Sequence, residues 1–209
     1  MKDKVPFYPN QMDNAHCAPA VFKSLIEYFC GEKLSWEEMD RLGYSVEGKG
    51  TWTVPYHLKL AQCGVEVRII EAFDYEAFAA EGKKYLESLG ERGQFYINSS
   101  NWQNAFDSIS DFLAAVHHES RNATIKEIDK LLEQGYLVGV ELNSRALNDK
   151  AGFVLHYVLV KAKQGDKYLI NDPGGPTENF ENRLVSQGLF ERAIGGELAQ
   201  YEVAAFRKK

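Results

Sequence analysis

Gly152-Phe153-Val154-Leu155-His156-Tyr157-Val158-Leu159-Val160, followed after Gln164-Gly165-Asp166 by Lys167-Tyr168-Leu169-Ile170-Asn171-Asp172, reads as two strands joined by a hairpin turn. Branched and aromatic residues fill both runs, and a glycine-bearing connection this short favours antiparallel pairing. Tyr136-Leu137-Val138-Gly139-Val140-Glu141-Leu142 upstream and Tyr201-Glu202-Val203-Ala204-Ala205-Phe206 downstream are strands by the same signs, as is Val65-Glu66-Val67-Arg68-Ile69-Ile70. The rest is mostly helical in pattern. Ser35-Trp36-Glu37-Glu38 and Thr124-Ile125-Lys126-Glu127 are capping boxes, Thr53 and Pro55 open a helix that Gly64 stops, and a last helix is expected around 180 to 193. Helices early and adjacent antiparallel strands late predict an α+β fold rather than a doubly wound sheet.

At 209 residues the chain is long enough for one sizeable core and short for two. Residues 1–209 therefore read as a single domain with a mainly helical insert at about 71–120, a lobe or lid in which Gln94-Phe95-Tyr96-Ile97 is a short strand or a buried loop.

Reactive chemistry enters at Gln11-Met12-Asp13-Asn14-Ala15-His16-Cys17-Ala18-Pro19-Ala20. Behind it, Val21, Phe22, Leu25, Ile26 and Phe29 recur at helical spacing, Pro19 fits only a first turn, and Gly31 is a stop. Asn14 or Asp13 is the expected cap. Cys17 thus sits at a helix N-terminus, where partial positive charge favours a thiolate and unpaired N–H groups can hold the oxyanion of an attacked carbonyl. Gln11, six residues earlier, supplies an uncharged amide that a loop can bring beside the N–H of Cys17. Against this stands the commoner fate of cysteine as a small buried hydrophobe, the reading given to Cys30 and Cys63.

A nucleophile of this kind needs a base. His156 is the polar residue in a run apolar on both faces, and alone it reads as a core histidine with a satisfied hydrogen bond. If the hairpin turns on three residues, Val158 faces Asp172, and Asp172 shares the face of His156; an odd register separates them. Asp172 also opens Asp172-Pro173-Gly174-Gly175-Pro176, where local turn hydrogen bonding is the plain role for an aspartate.

Gln11, Cys17-Ala18-Pro19-Ala20, His156-Tyr157-Val158-Leu159-Val160 and Asn171-Asp172-Pro173, in that order, resemble the papain-like cysteine peptidases of the C39 family, with Ala18 where that family usually has glycine. The resemblance covers both ends of the chain and little of 71–120. It implies a papain-like fold, an N-terminal catalytic helix packed on a C-terminal antiparallel sheet. It also implies a thiol hydrolase cleaving a peptide or amide bond, with Cys17 as nucleophile, His156 as base, Asp172 as orienting acid and Gln11 as oxyanion donor. Acyl transfer to an amine on the same site, and an idle fold kept for peptide binding, are the alternatives. The best-known members cut leader peptides while fused to a transporter; nothing in this sequence carries that substrate over.

Other classes find little support. The formal net charge is −6 and the longest basic cluster is Arg207-Lys208-Lys209, so no nucleic-acid footprint is expected. No run approaches the roughly 18 apolar residues of a membrane span, and residues 1–9 lack a secretory h-region. Three cysteines without paired spacing are not expected to form a disulfide framework, which makes a reducing cytoplasm the expected compartment. His117-His118 lacks partners at ligand spacing, so neither metal nor cofactor is expected; the expected partner is a peptide or amide substrate. His16 is expected on the solvent or substrate side, and Trp52 and Trp102 either line a cleft or pack in the core.

Overall fold

The expected hairpin lies in a seven-stranded sheet of a mixed α+β structure. The computed structural model describes residues 4–175, 178–195 and 202–209. The first part of the chain gives α1 (Cys17–Cys30), α2 (Trp36–Leu42), α3 (Val54–Gln62) and β1 (Val65–Glu71). Then come α4 (Tyr75–Glu81), α5 (Lys83–Ser88), α6 (Glu91–Ser99), α7 (Trp102–Phe106), α8 (Ile109–Ala115) and β2 (His117–Ser120). The last part is α9 (Ile125–Glu133), β3 (Leu137–Asn143), α10 (Ser144–Leu147), β4 (Leu155–Gln164), β5 (Lys167–Asp172), β6 (Phe180–Ser186), α11 (Gln187–Ile194) and β7 (Val203–Lys208). Strand order is β2-β1-β7-β3-β4-β5-β6, antiparallel throughout except for the β1–β2 pair.

Both faces of this sheet are covered, which is why β4 is apolar on both. Tyr157 and Leu159 pack into one core with Phe22 and Leu25 of α1 and Phe206 of β7, whereas Val158 and Val160 join the other with Ile128 of α9 and Phe190 of α11. Phe22 sits at the centre of the first core, fully buried and stacked on Tyr56 at 5.1 Å. Burying a phenyl ring of this kind contributes roughly 1.5–3 kcal/mol. Phe78, Leu86 and Phe112 of the 71–120 segment enter the same core. Both capping boxes form as expected, at Ser35–Glu38 and Thr124–Glu127.

The hairpin reaches the expected pairing by another route. Its turn has two residues, not three: Gln164 opposes Lys167 and Lys163 opposes Tyr168. Continued unchanged, that register would set Leu159 against Asp172 and turn the carboxylate away from His156. A bulge between Val160 and Ala162 adds one residue, so Val160 opposes Ile170 and Leu159 opposes Asn171. Val158 is thereby aligned with Asp172.

Several sequence expectations are corrected. Gln94–Ile97 is neither strand nor loop but part of α6. His117 and His118 lie in edge strand β2, not in a helix. The segment expected to be helical from 180 pairs with β5 as β6 first, and α11 starts only at Gln187, with the Ser186 hydroxyl accepting the N–H of Leu189. The last strand is β7; Tyr201, placed in it from sequence, lies outside the described residues.

Cys30 and Cys63 are joined as a disulfide, contrary to the expectation of unpaired thiols, and this removes the ground on which a reducing compartment was expected. Cys30 ends α1 and Cys63 follows α3; packing of those helices brings the two Cα atoms to 5.6 Å across 33 residues, a proximity no local spacing reveals. Closing a loop of that length stabilises by roughly 3–4 kcal/mol in the chain-entropy account. Dithiothreitol is accordingly expected to lower the melting temperature of the wild type and leave that of Cys30→Ser/Cys63→Ser unchanged, a comparison made by thermal denaturation.

Candidate active site

α1 begins at Cys17 without a side-chain cap: the preceding residue is His16, and neither Asp13 nor Asn14 takes the capping role. Asp13 instead accepts the N–H of Ala15 and one ring nitrogen of His16, whose other nitrogen meets Asp40 at 2.8 Å. These bonds outweigh burial and raise the pKa of His16, which braces the loop beside Trp36. Among the described residues no acceptor takes the N–H of Cys17, so that donor is available to an anion.

Asn10 holds the entrance loop. Its Oδ1 accepts the N–H groups of Gln11 at 2.8 Å and His16 at 2.9 Å, while its Nδ2 donates to Gly174 O at 3.0 Å and its backbone N–H to Pro173 O at 3.1 Å. One buried side chain thus ties the loop before Cys17 to the loop after Asp172.

His156 Nε2 meets Asp172 Oδ1 at 2.8 Å, and the ring lies close enough to Cys17 for each to act on the charge of the other. Only 7% of His156 and 2% of Asp172 is exposed, so the pair is shielded from water. Asp172 is further bound by the N–H of Gly174 at 2.9 Å and by Arg183 Nη1 at 2.8 Å. Gly174 has φ +61, and a Cβ there would lie 1.6 Å from Glu178 O, so glycine is required for the turn that returns its N–H to the carboxylate. Arg183 is itself fixed by Leu147 O and Asn148 Oδ1.

The electrostatics follow from these contacts. Burial pushes the Cys17 thiol up, but the hydrogen bond and charge of His156, with N–H groups from Tyr157 and Ala18, bring it below its ordinary value. Burial disfavours the imidazolium of His156, yet Asp172 and Cys17 raise it to about 10. Asp172 is held below the usual carboxylate value, because bonds to His156, Gly174 and Arg183 overcome its burial. Such an arrangement shifts the balance towards a thiolate–imidazolium pair.

Cys17 lines two cavities. One, of about 690 Å³, also touches Asn10, Asn14, His156 and Asp172; the other, of about 360 Å³, touches Gly50, Thr51, Thr53 and Tyr157. Gln11, half-buried, lines neither, whereas Asn14 lines both.

No family model matches the sequence, and no curated protein does. A solved structure does. The crystal structure of the peptidase domain of Streptococcus ComA, a bi-functional ABC transporter involved in a quorum-sensing pathway, aligns over 98% of this chain and 99% of its own, with TM-score 0.50 and 16% identity. The chain shares the fold of a peptidase domain. At that identity the likeness concerns architecture, and the chemistry has to be argued from the residues.

Sequence reasoning missed Asn10 and Arg183. Asn10 stands next to the singled-out Gln11, but its partners at 173 and 174 are visible only in the fold; Arg183 falls in a segment read as helix, which hides its pairing with Asp172. Trp52 lines a cavity, while Trp102 is core. His118 is half-buried, and no metal-holding group includes it among the described residues; the group that does gather, Cys30, Glu32 and Cys63, has its sulfurs joined to each other. No helix among the described residues is long and apolar enough to cross a membrane.

Proposed function

We propose that this chain is a papain-like, C39-like thiol hydrolase that cleaves a peptide or amide bond through a thioester on Cys17. The observation that carries the reading is the His156 ring, bound by Asp172 and lining the same two cavities as Cys17, which stands at the open start of a helix. The Cys17 thiolate attacks the carbonyl carbon, forming the C–S bond while the carbonyl pair moves to oxygen. The resulting oxyanion is met by the N–H of Cys17 and a side-chain amide. Collapse expels the amine, which takes its proton from the His156 imidazolium. His156, now neutral, removes a proton from water as it attacks the thioester, and the acid product leaves with Cys17 restored. An amine in place of that water gives acyl transfer.

Digestion of a peptide library by the wild type and Cys17→Ala, with and without an added amine, tests the proposal. Cleavage by the wild type alone supports it, and an absolute requirement for the amine replaces hydrolase by acyltransferase. Inertness of the wild type towards every peptide and amide favours the idle binding fold.

Two amides compete for the oxyanion role. Gln11 has the spacing implied by the family resemblance; Asn14 lines both cavities at the sulfur. Alanine at the true donor is expected to lower kcat by about 10²–10³ with little change in KM, and alanine at the other to leave kcat within a few-fold.

A further inference from the structure

Next to the Cys17 cleft lies a cavity of about 350 Å³ that shares Gly50, Thr51, Thr53, Glu141 and Leu155 with it. Its walls include the rings of Trp52, Phe73, Tyr75 and Tyr96, and it is lined by three carboxylates, Glu71, Glu141 and Glu202, with no Lys, Arg or His among its described lining residues. Trp52 is fixed there: its Nε1 donates to Ser100 Oγ at 2.8 Å and its ring stacks on Phe78.

The charge of Glu202 is satisfied within the protein. Thr53 Oγ1 and Tyr157 Oη donate to it at 2.7 and 2.6 Å, and His57 Nε2 lies 3.0 Å away. Glu71 is not so provided. It is more than nine-tenths buried at 7% exposure, and Tyr75 Oη donates to Oε2 at 3.0 Å. No described residue donates to its Oε1 or forms an ion pair with it. Glu141 accepts a long bond from the N–H of Glu202 at 3.3 Å and likewise has no ion-pair partner among the described residues. Arg92, whose field reaches both carboxylates, donates from Nε to Tyr96 Oη at 2.9 Å. Burial, and the neighbouring Glu202, push Glu71 and Glu141 above the usual carboxylate range. Carboxylates in a cavity whose described lining holds no cation, beside aromatic rings, form a site matched to a positive group.

We propose that this cavity is a substrate subsite that takes a cationic side chain, an ammonium or guanidinium, of the peptide presented to Cys17. The inference rests on the reading of Cys17 as the reacting residue. It adds that cleavage favours substrates carrying a lysine or arginine a short distance from the bond broken, whose charge completes the Glu71 and Glu141 pair.

Capped hexapeptides that differ only in Lys, Gln or Glu at each position in turn test this in two ways. In the catalytic measurement, kcat/KM at the responsive position is expected to be at least tenfold higher for Lys than for Gln and lowest for Glu. In Glu71→Gln and, separately, Glu141→Gln, the Lys-to-Gln ratio is expected to fall to within twofold, with thermal melting as the check that each variant is folded. In the binding measurement, calorimetry on Cys17→Ala is expected to give the same tenfold preference in Kd. Preference in binding by a protein that cleaves nothing supports the subsite and rejects the hydrolase reading. Lys and Gln peptides cleaved at equal rates, or equal or undetectable binding of both at every position, overturn the subsite.

Discussion

His156→Ala is expected to lower kcat/KM by roughly ten-thousand-fold while the protein stays folded. Two losses coincide. The sulfur loses the neighbouring imidazole that offsets its burial, so its thiolate form is disfavoured. The leaving amine loses its proton donor as well. Folding survives because Asp172 keeps the N–H of Gly174 and the guanidinium of Arg183, and no bare buried charge results. Steady-state kinetics with circular dichroism checks both parts, and a variant within tenfold of the wild type would remove His156 from the reaction.

Asp172→Ala is expected to have the second-largest effect, a fall in kcat of about 10³-fold together with a loss of about 3 kcal/mol of stability by urea unfolding. The carboxylate holds the ring of His156 and neutralises Arg183, which is itself fixed by α10 and Asn148, so its removal strands a cation. Asp172→Asn should retain an acceptor for Nε2 without the charge and so separates orientation from electrostatics. The pH profile gives the sign. As pH rises through the lowered thiol value the nucleophile forms and the rate climbs; as it rises through the raised imidazole value, about 10, the proton donor is lost and the rate falls. Without the Asp172 charge the alkaline limb moves down towards the ordinary histidine value of 6.5.

What was legible in the sequence is what depends on neighbours in the chain. The apolar stripe of α1, its stop at Gly31 and the two capping boxes are local patterns that lie where the pattern predicts, and the strands of His156 and Asp172 are present, the first at Leu155–Gln164 where 152–160 was expected. The turn length was misjudged by one residue, and the bulge at Lys161, which restores the pairing, has no local signature; the buried lysine there is held by Asn182 of β6. Long-range contacts account for the other misses. The disulfide joins the ends of two packed helices, Asn10 reaches residues 164 positions away, and Glu202 fastens β7 to α3 and β4. Edge strands β2 and β6 were hidden because one-sided pairing leaves their sequences polar enough to pass for helix or loop.

The central claim is that a sulfur at an uncapped helix start and an imidazole from β4 share one proton. The rate of Cys17 alkylation by iodoacetamide across pH, in the wild type and His156→Ala with the Cys30–Cys63 disulfide intact, measures it most directly. The account predicts a wild-type titration midpoint below the ordinary thiol value of 9.0, and a midpoint that rises in the variant. A wild-type midpoint at or above 9.0, unmoved by loss of the imidazole, would contradict it.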